Sequence, residues 1–182
     1  MKQDLSREIK IEEKASVETD GIHVVATGPL GKVERDFPYP FLKIEKKDDM
    51  ILLSTKQATK REKKIFGTIC AHIKNMINGV INGYEYKLQV CSVHFPISVS
   101  VDLQKKQVMI KNFIGEARER KADIVGNSTL KVEGDIITIS SPNIEAAAQT
   151  SANLEMATRI RLRDRRVFQD GIYLIERCGE KI

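Results

Sequence analysis

Two ten-residue stretches, GPLGKVERDF at 28–37 and NFIGEARERK at 112–121, repeat one design. Each has Gly or Asn, a bulky pair, Gly, then charges alternating with shorter residues. Gly31 and Gly115 lie 84 residues apart in a chain of 182. A repeat near half the chain length constrains the fold more than any other feature, because each copy must close its own core within about 85–95 residues. Strand-like segments precede both copies, IHVVAT at 22–27 and KQVMIKN at 106–112, with Val24 and Val108 in equivalent places. Polar strands, KVERDF and EARERK, are expected to follow, which makes GPLG and NFIG hairpin turns. Gly28 becomes Asn112 in the second copy, the exchange expected where φ is positive.

Further along come two apolar runs, MILLST at 50–55 and DIITISS at 135–141, each followed by a helical pattern. Ile65, Ile69, Ile73, Met76 or Ile77 and Val80 recur at helical spacing, which predicts a helix from Thr59 to a stop at Asn82-Gly83. Ser141-Pro142 is expected to cap and open a second helix through NIEAAAQTSANLEMATRI. The expected fold is α+β, with two similar domains from an internal duplication, residues 1–83 and 84–182. Each would be a small antiparallel or mixed sheet packed by one main helix. The linker is expected at NGVINGYEY, around residues 79–86.

The residues that could carry chemistry are sparse. Hydrophobic residues at 41% and charged residues at 30% fit a globular chain. The N-terminal MKQDLSREIKIEEK has no apolar core, so no secretory signal is expected, and no apolar run reaches the ~20 residues of a membrane span. Cys70, Cys91 and Cys178 lack CxxC spacing and read as reduced thiols. His23, His72 and His94 have no partner at metal-ligand spacing, and no GxSxG elbow surrounds a serine. The expectation is no metal, no cofactor, no small-molecule substrate and no enzymatic activity. A KH-type GxxG clamp joins two helices, unlike the strand-like flanks of GPLG, and the P-loop pattern is absent.

Charge points elsewhere. The net charge is +5, and residues 159–182 carry seven basic against four acidic side chains. Five of the seven fall in the eight residues RIRLRDRR. Arg159, Arg161, Arg163 and Arg165 recur at period two, which on an extended segment lines one side at about 6.5–7 Å spacing. Such a row repels itself unless an anion lies against it, and the planar guanidinium fork suits phosphate. Arg166 adds a fifth. A protein scaffold meeting an acidic partner is the alternative from another class.

These segments together resemble a known family: the large-subunit ribosomal protein numbered six in the universal scheme, in its archaeal and eukaryotic branch. The resemblance rests on GPLGKVERDF, GTICAHIKNMINGVINGY, VHFPISVSV with VMIKNFIGEARER, and QTSANLEMATRIRLRDRRVFQDGIYLIERCG. It implies two duplicated α+β domains and a structural role in the cytoplasmic ribosome. It further implies binding to large-subunit ribosomal RNA near the factor-binding region, close to the sarcin–ricin loop, with ribosomal proteins as neighbours and no membrane partner. RNA contact is implied for Lys111, Asn112, Arg118, Arg120 and Lys121, and for the segment from Arg159 to Tyr173, with Arg161, Arg163, Arg165, Arg166 and Gly171 within it. The bacterial branch has a lysine- and glycine-rich stretch before its GI-x-Y motif. Here Val167-Phe168-Gln169-Asp170 stands there, so contacts of those lysines do not carry over.

Overall fold

The computed structural model describes residues 3–12, 14–47, 49–164 and 166–182, and the chain divides into two units, Met1–Gly83 and Tyr84–Ile182. The first unit runs β1 (Gln3–Lys10), β2 (Ser16–Asp20), β3 (His23–Gly28), β4 (Gly31–Asp36), β5 (Lys43–Lys47), β6 (Met50–Ala58) and α1 (Lys60–Asn82). Its strands form two antiparallel sheets, β2-β3-β4 and β1-β6-β5. Period-two alternation puts Val24 and Ala26 of β3, and Ile51 and Leu53 of β6, wholly inside. Ile69, Ile73 and Val80 of α1 close the same core. Each such side chain contributes about 1.5–3 kcal/mol through burial.

The second unit runs β7 (Tyr84–Cys91), β8 (Ser98–Asp102), β9 (Gln107–Lys111), β10 (Arg120–Asp123), β11 (Thr129–Glu133), β12 (Ile136–Ser141), α2 (Ile144–Ala157), β13 (Gly171–Arg177) and β14 (Glu180–Lys181). Its sheets are β8-β9-β10 and β11-β12-β7-β13-β14. The plan of the first unit recurs: β2-β3-β4 corresponds to β8-β9-β10, β1-β6-β5 to β7-β12-β11, and one helix follows in each. What remains unmatched in the second unit is everything after α2. The connector 158–170 leads into β13, which pairs antiparallel with β7, the strand that begins the unit. The arginine run lies in that connector.

Several local expectations are corrected. The α1 end and the β7 start are separated by Gly83 alone, at φ 73°, so the linker is one residue and not the stretch 79–86. Gly28 is not needed for a positive φ. A Cβ there would lie 2.7 Å from the Val80 carbonyl oxygen, so the hairpin tip needs glycine because α1 crosses so closely. Positive φ does occur at Asn112, at 57°. The β3–β4 hairpin is tight, whereas β9 and β10 are joined by a longer loop holding a 3-10 turn, Phe113–Gly115. The strand expected over EARERK therefore begins only at Arg120. Three left-handed residues, Asn112, Ile114 and Gly115, turn the chain so that the Phe113 ring is wholly buried and residues 116–119 loop outward. The cap of α2 is Asn143, whose Oδ1 accepts from the Glu145 N–H at 2.9 Å; Ser141 sits two residues earlier, accepting from the Asn143 N–H. The helix stops at Ala157, where the Thr158 hydroxyl turns back onto the Leu154 and Glu155 carbonyls. Among the described residues, no helix is long and apolar enough to cross a membrane.

Candidate nucleic-acid interface

Among its described residues the connector holds no strand. Leu162 adopts φ 59°, so the period-two geometry breaks in the middle of the run and the arginines do not form one straight row. Arg165 lies outside the described residues. What the tertiary structure supplies instead is a groove. One wall is the loop leading into β10, with Arg118, and the start of β10, with Lys121; the other is the end of α2 and the connector, with Arg159, Arg161 and Arg163. Including Arg120 at its base, the lining has six basic side chains against two acidic ones, Glu116 and Glu119. Met156 and Leu162 supply its apolar surface, and Leu162 is fully exposed.

The two acids are already occupied. Glu119 pairs with Lys111 at 2.8 Å, and Glu116 receives Arg120 through both carboxylate oxygens at 2.9 and 2.6 Å. Those hydrogen bonds hold the Glu116 carboxyl below the usual range against the upward push of burial, and the charges of Arg120 and Arg163 add to the lowering. Arg118, Lys121, Arg159 and Arg161 are exposed, with no ion pair among the described residues. Four like charges held around one groove are an unmet electrostatic demand, and a polyanion answers it.

The far end of the connector is pinned. Asp170 is wholly buried, and its carboxylate accepts from the Val93 N–H at 2.7 Å, the His94 N–H at 2.9 Å and the His94 ring at 2.6 Å. Burial pushes this carboxyl up, but the hydrogen bonds from His94 and Val93 outweigh it and leave it below the usual range. His94 in turn stacks on Phe168 at 5.1 Å, and the Arg163 guanidinium lies over the same ring at 4.9 Å from its centroid. At the near end the Thr158 hydroxyl accepts from the Ile172 N–H at 3.0 Å. The loop bearing the arginines is thus fastened at both ends.

Of the residues implied by the resemblance, Arg118, Lys121, Arg159, Arg161 and Arg163 come together with free faces. Others meet partners within the protein. Arg120 spends its donors inside the protein. Lys111 is paired with Glu119, and the Asn112 amide donates to the Pro96 carbonyl at 3.0 Å. Arg166 forks onto Asp164 at 2.8–3.2 Å and lies outside the groove, beside Cys91, Val93, Gln169 and Tyr173. Gly171 is buried, and a Cβ on it would meet the Tyr173 ring at 3.0 Å; the Tyr173 hydroxyl donates back to Gln169 at 3.2 Å.

Comparison with known proteins agrees with this architecture. The family described as Ribosomal protein L6 matches residues 11–83. A large ribosomal subunit protein uL6 from Desulfurococcus amylolyticus is 45% identical over 98% of this chain and 97% of its own length. The uL6 proteins of Staphylothermus marinus, 44% identical over 93% of this chain and 92% of their counterpart, and of Methanobrevibacter smithii, 43% over 95% and 96%, are similar along both units. The chain belongs to the uL6 family, in its archaeal branch.

Members of uL6 are structural ribosomal proteins and not enzymes. In this uL6 chain the family match falls on the first unit, whereas the groove is wholly in the second. Sequence reasoning missed Glu116 and Met156 as groove residues, included Leu162 only as part of the segment from Arg159 to Tyr173, and missed the part of Asp170, His94 and Phe168 as the anchor of the connector. For Asp170 a signal existed: a lone acid four residues past an arginine cluster, before a buried Gly-Ile, needs donors to be tolerated. Its donors lie more than seventy residues away, so nothing local names them.

Proposed function

We propose that this protein is a structural component of the large ribosomal subunit and that the groove of its second unit holds large-subunit ribosomal RNA by the phosphate backbone. Membership in uL6 supports the ribosomal role and a place in the cytoplasmic ribosome. The observation that carries the RNA reading is the convergence of Arg118, Lys121, Arg159, Arg161 and Arg163 from two separate chain segments around one open groove. Contacts of this kind fix position without reading sequence, as suits docking onto folded RNA by shape. Leu162, projecting between Arg161 and Arg163, adds an apolar contact suited to a ribose or an unstacked base. The place of contact is the factor-binding region near the sarcin–ricin loop, with neighbouring ribosomal proteins against the remaining surface.

If about four phosphates are neutralised, the logarithm of affinity for large-subunit ribosomal RNA falls against log salt with a slope of roughly −3 to −4. The double variant Arg161→Gln/Arg163→Gln makes the slope shallower by about two units. A flat titration for the parent protein sinks the reading. Chemical footprinting of the RNA tests the location, and protection confined to sites far from the sarcin–ricin loop refutes it.

A further inference from the structure

Arg120 sits at the base of the groove, yet almost none of it is available to a ligand. Its Nε and one terminal nitrogen donate to the two carboxylate oxygens of Glu116 at 2.9 and 2.6 Å. The other terminal nitrogen donates to the Ala157 carbonyl at 2.8 Å and the Arg159 carbonyl at 3.4 Å. The guanidinium carbon lies over the buried Phe113 ring, 4.2 Å from its centroid. Four of the five N–H donors are thereby used, and one face is covered. The carbonyls it takes are the last of α2 and the second of the connector, groups at a helix end that lack intrahelical partners.

We infer that Arg120 is a positioning residue for RNA binding: with Glu116 it latches the β9–β10 loop to the end of α2 and so sets the spacing between the Arg118–Lys121 wall and the Arg159–Arg163 wall. This inference rests on the groove's being the RNA-binding site. The two walls come from segments about forty residues apart in sequence, and among the described residues no strand pairing joins β10 to the connector. The latch does what a ladder would otherwise do. Glu116 is part of it, so an acid inside a basic groove favours binding of an anion by holding the cations in place.

Full-length Arg120→Gln, Arg120→Lys and Glu116→Ala proteins are titrated with in-vitro-transcribed large-subunit ribosomal RNA over a salt series, with thermal melts to confirm folding. Amide exchange is followed over residues 157–163. Arg120→Gln and Glu116→Ala are each expected to bind about tenfold more weakly, a loss of ~1.4 kcal/mol, with the salt slope unchanged and exchange in 157–163 faster. Simple electrostatics demands the opposite for Glu116→Ala, since a negative charge leaves the groove. Tighter or unchanged binding for Glu116→Ala overturns the latch. So does a slope about one unit shallower for Arg120→Gln, which marks a direct phosphate contact. A variant that melts earlier but binds as the parent does also overturns it. If Arg120→Gln does not fold, Arg120→Lys and Glu116→Ala carry the same readings. Failure of the groove itself looks different: Arg161→Gln/Arg163→Gln then keeps parental affinity and slope.

Discussion

Asp170→Ala removes the pin at the far end of the arginine connector, and its cost can be worked from the geometry. The carboxylate is wholly buried and accepts three hydrogen bonds, from Val93, from the His94 amide and from the His94 ring. Hydrogen bonds to a charged acceptor contribute about 1.5–3 kcal/mol each. Burying the carboxylate costs several kcal/mol in the other direction. Val93 and His94 lie at the surface, so water can reach their amides once the acid is gone. The balance is a loss of about 2–3 kcal/mol. For a unit of this size each kcal/mol moves the midpoint by about 4–8 °C, so calorimetry of the full chain is expected to show the second unit melting roughly 10–20 °C earlier at neutral pH. The pH dependence follows from the direction of the shift. Asp170 titrates below its ordinary value in the folded protein. Its contribution is therefore fully present above the unfolded value near pH 4 and is lost as pH falls through the folded one. The gap between parent and variant should be constant from about pH 5 upward and close in stronger acid. A variant melting within about 3 °C of the parent at neutral pH, or a gap that widens on acidification, refutes the reasoning.

Two stability predictions concern the first unit. Gly28→Ala sets a Cβ 2.7 Å from the Val80 carbonyl oxygen, a backbone atom that cannot step aside, so a loss of about 1–3 kcal/mol is expected in denaturant titration. A parental midpoint would show that the hairpin tip and α1 have slack between them. Thr59→Ala removes a capping box in which the Glu62 N–H donates to Thr59 Oγ1 at 3.4 Å and the Thr59 N–H to Glu62 at 2.6 Å. Its expected cost is about 1 kcal/mol, with fraying of the first turn of α1 seen by amide exchange; unchanged exchange there argues against the cap.

The sequence by itself determined the two helices, the strands at their repeated places and the order in which they recur. The 3.6-residue stripe of Ile69, Ile73 and Val80 and the alternation in IHVVAT and DIITISS are local patterns, and local patterns are sufficient to choose helix or strand when one face must be buried. The duplication was legible because two copies solving the same packing problem keep similar turns at a constant offset. Even the arginine run was visible as charge. Only the tertiary structure decided which cations are left open. Arg118 and Arg120 are two residues apart and chemically identical. One points into an open groove, while the other is consumed by Glu116, Phe113 and two carbonyls some forty residues away. Arg163 and Arg166 divide in the same way, one over Phe168 in the groove and the other folded onto Asp164 outside it. Charge is a property of a residue, but its availability depends on which donors and acceptors the folded chain brings within about 3 Å. That is settled by long-range contacts, and no window of local sequence contains them.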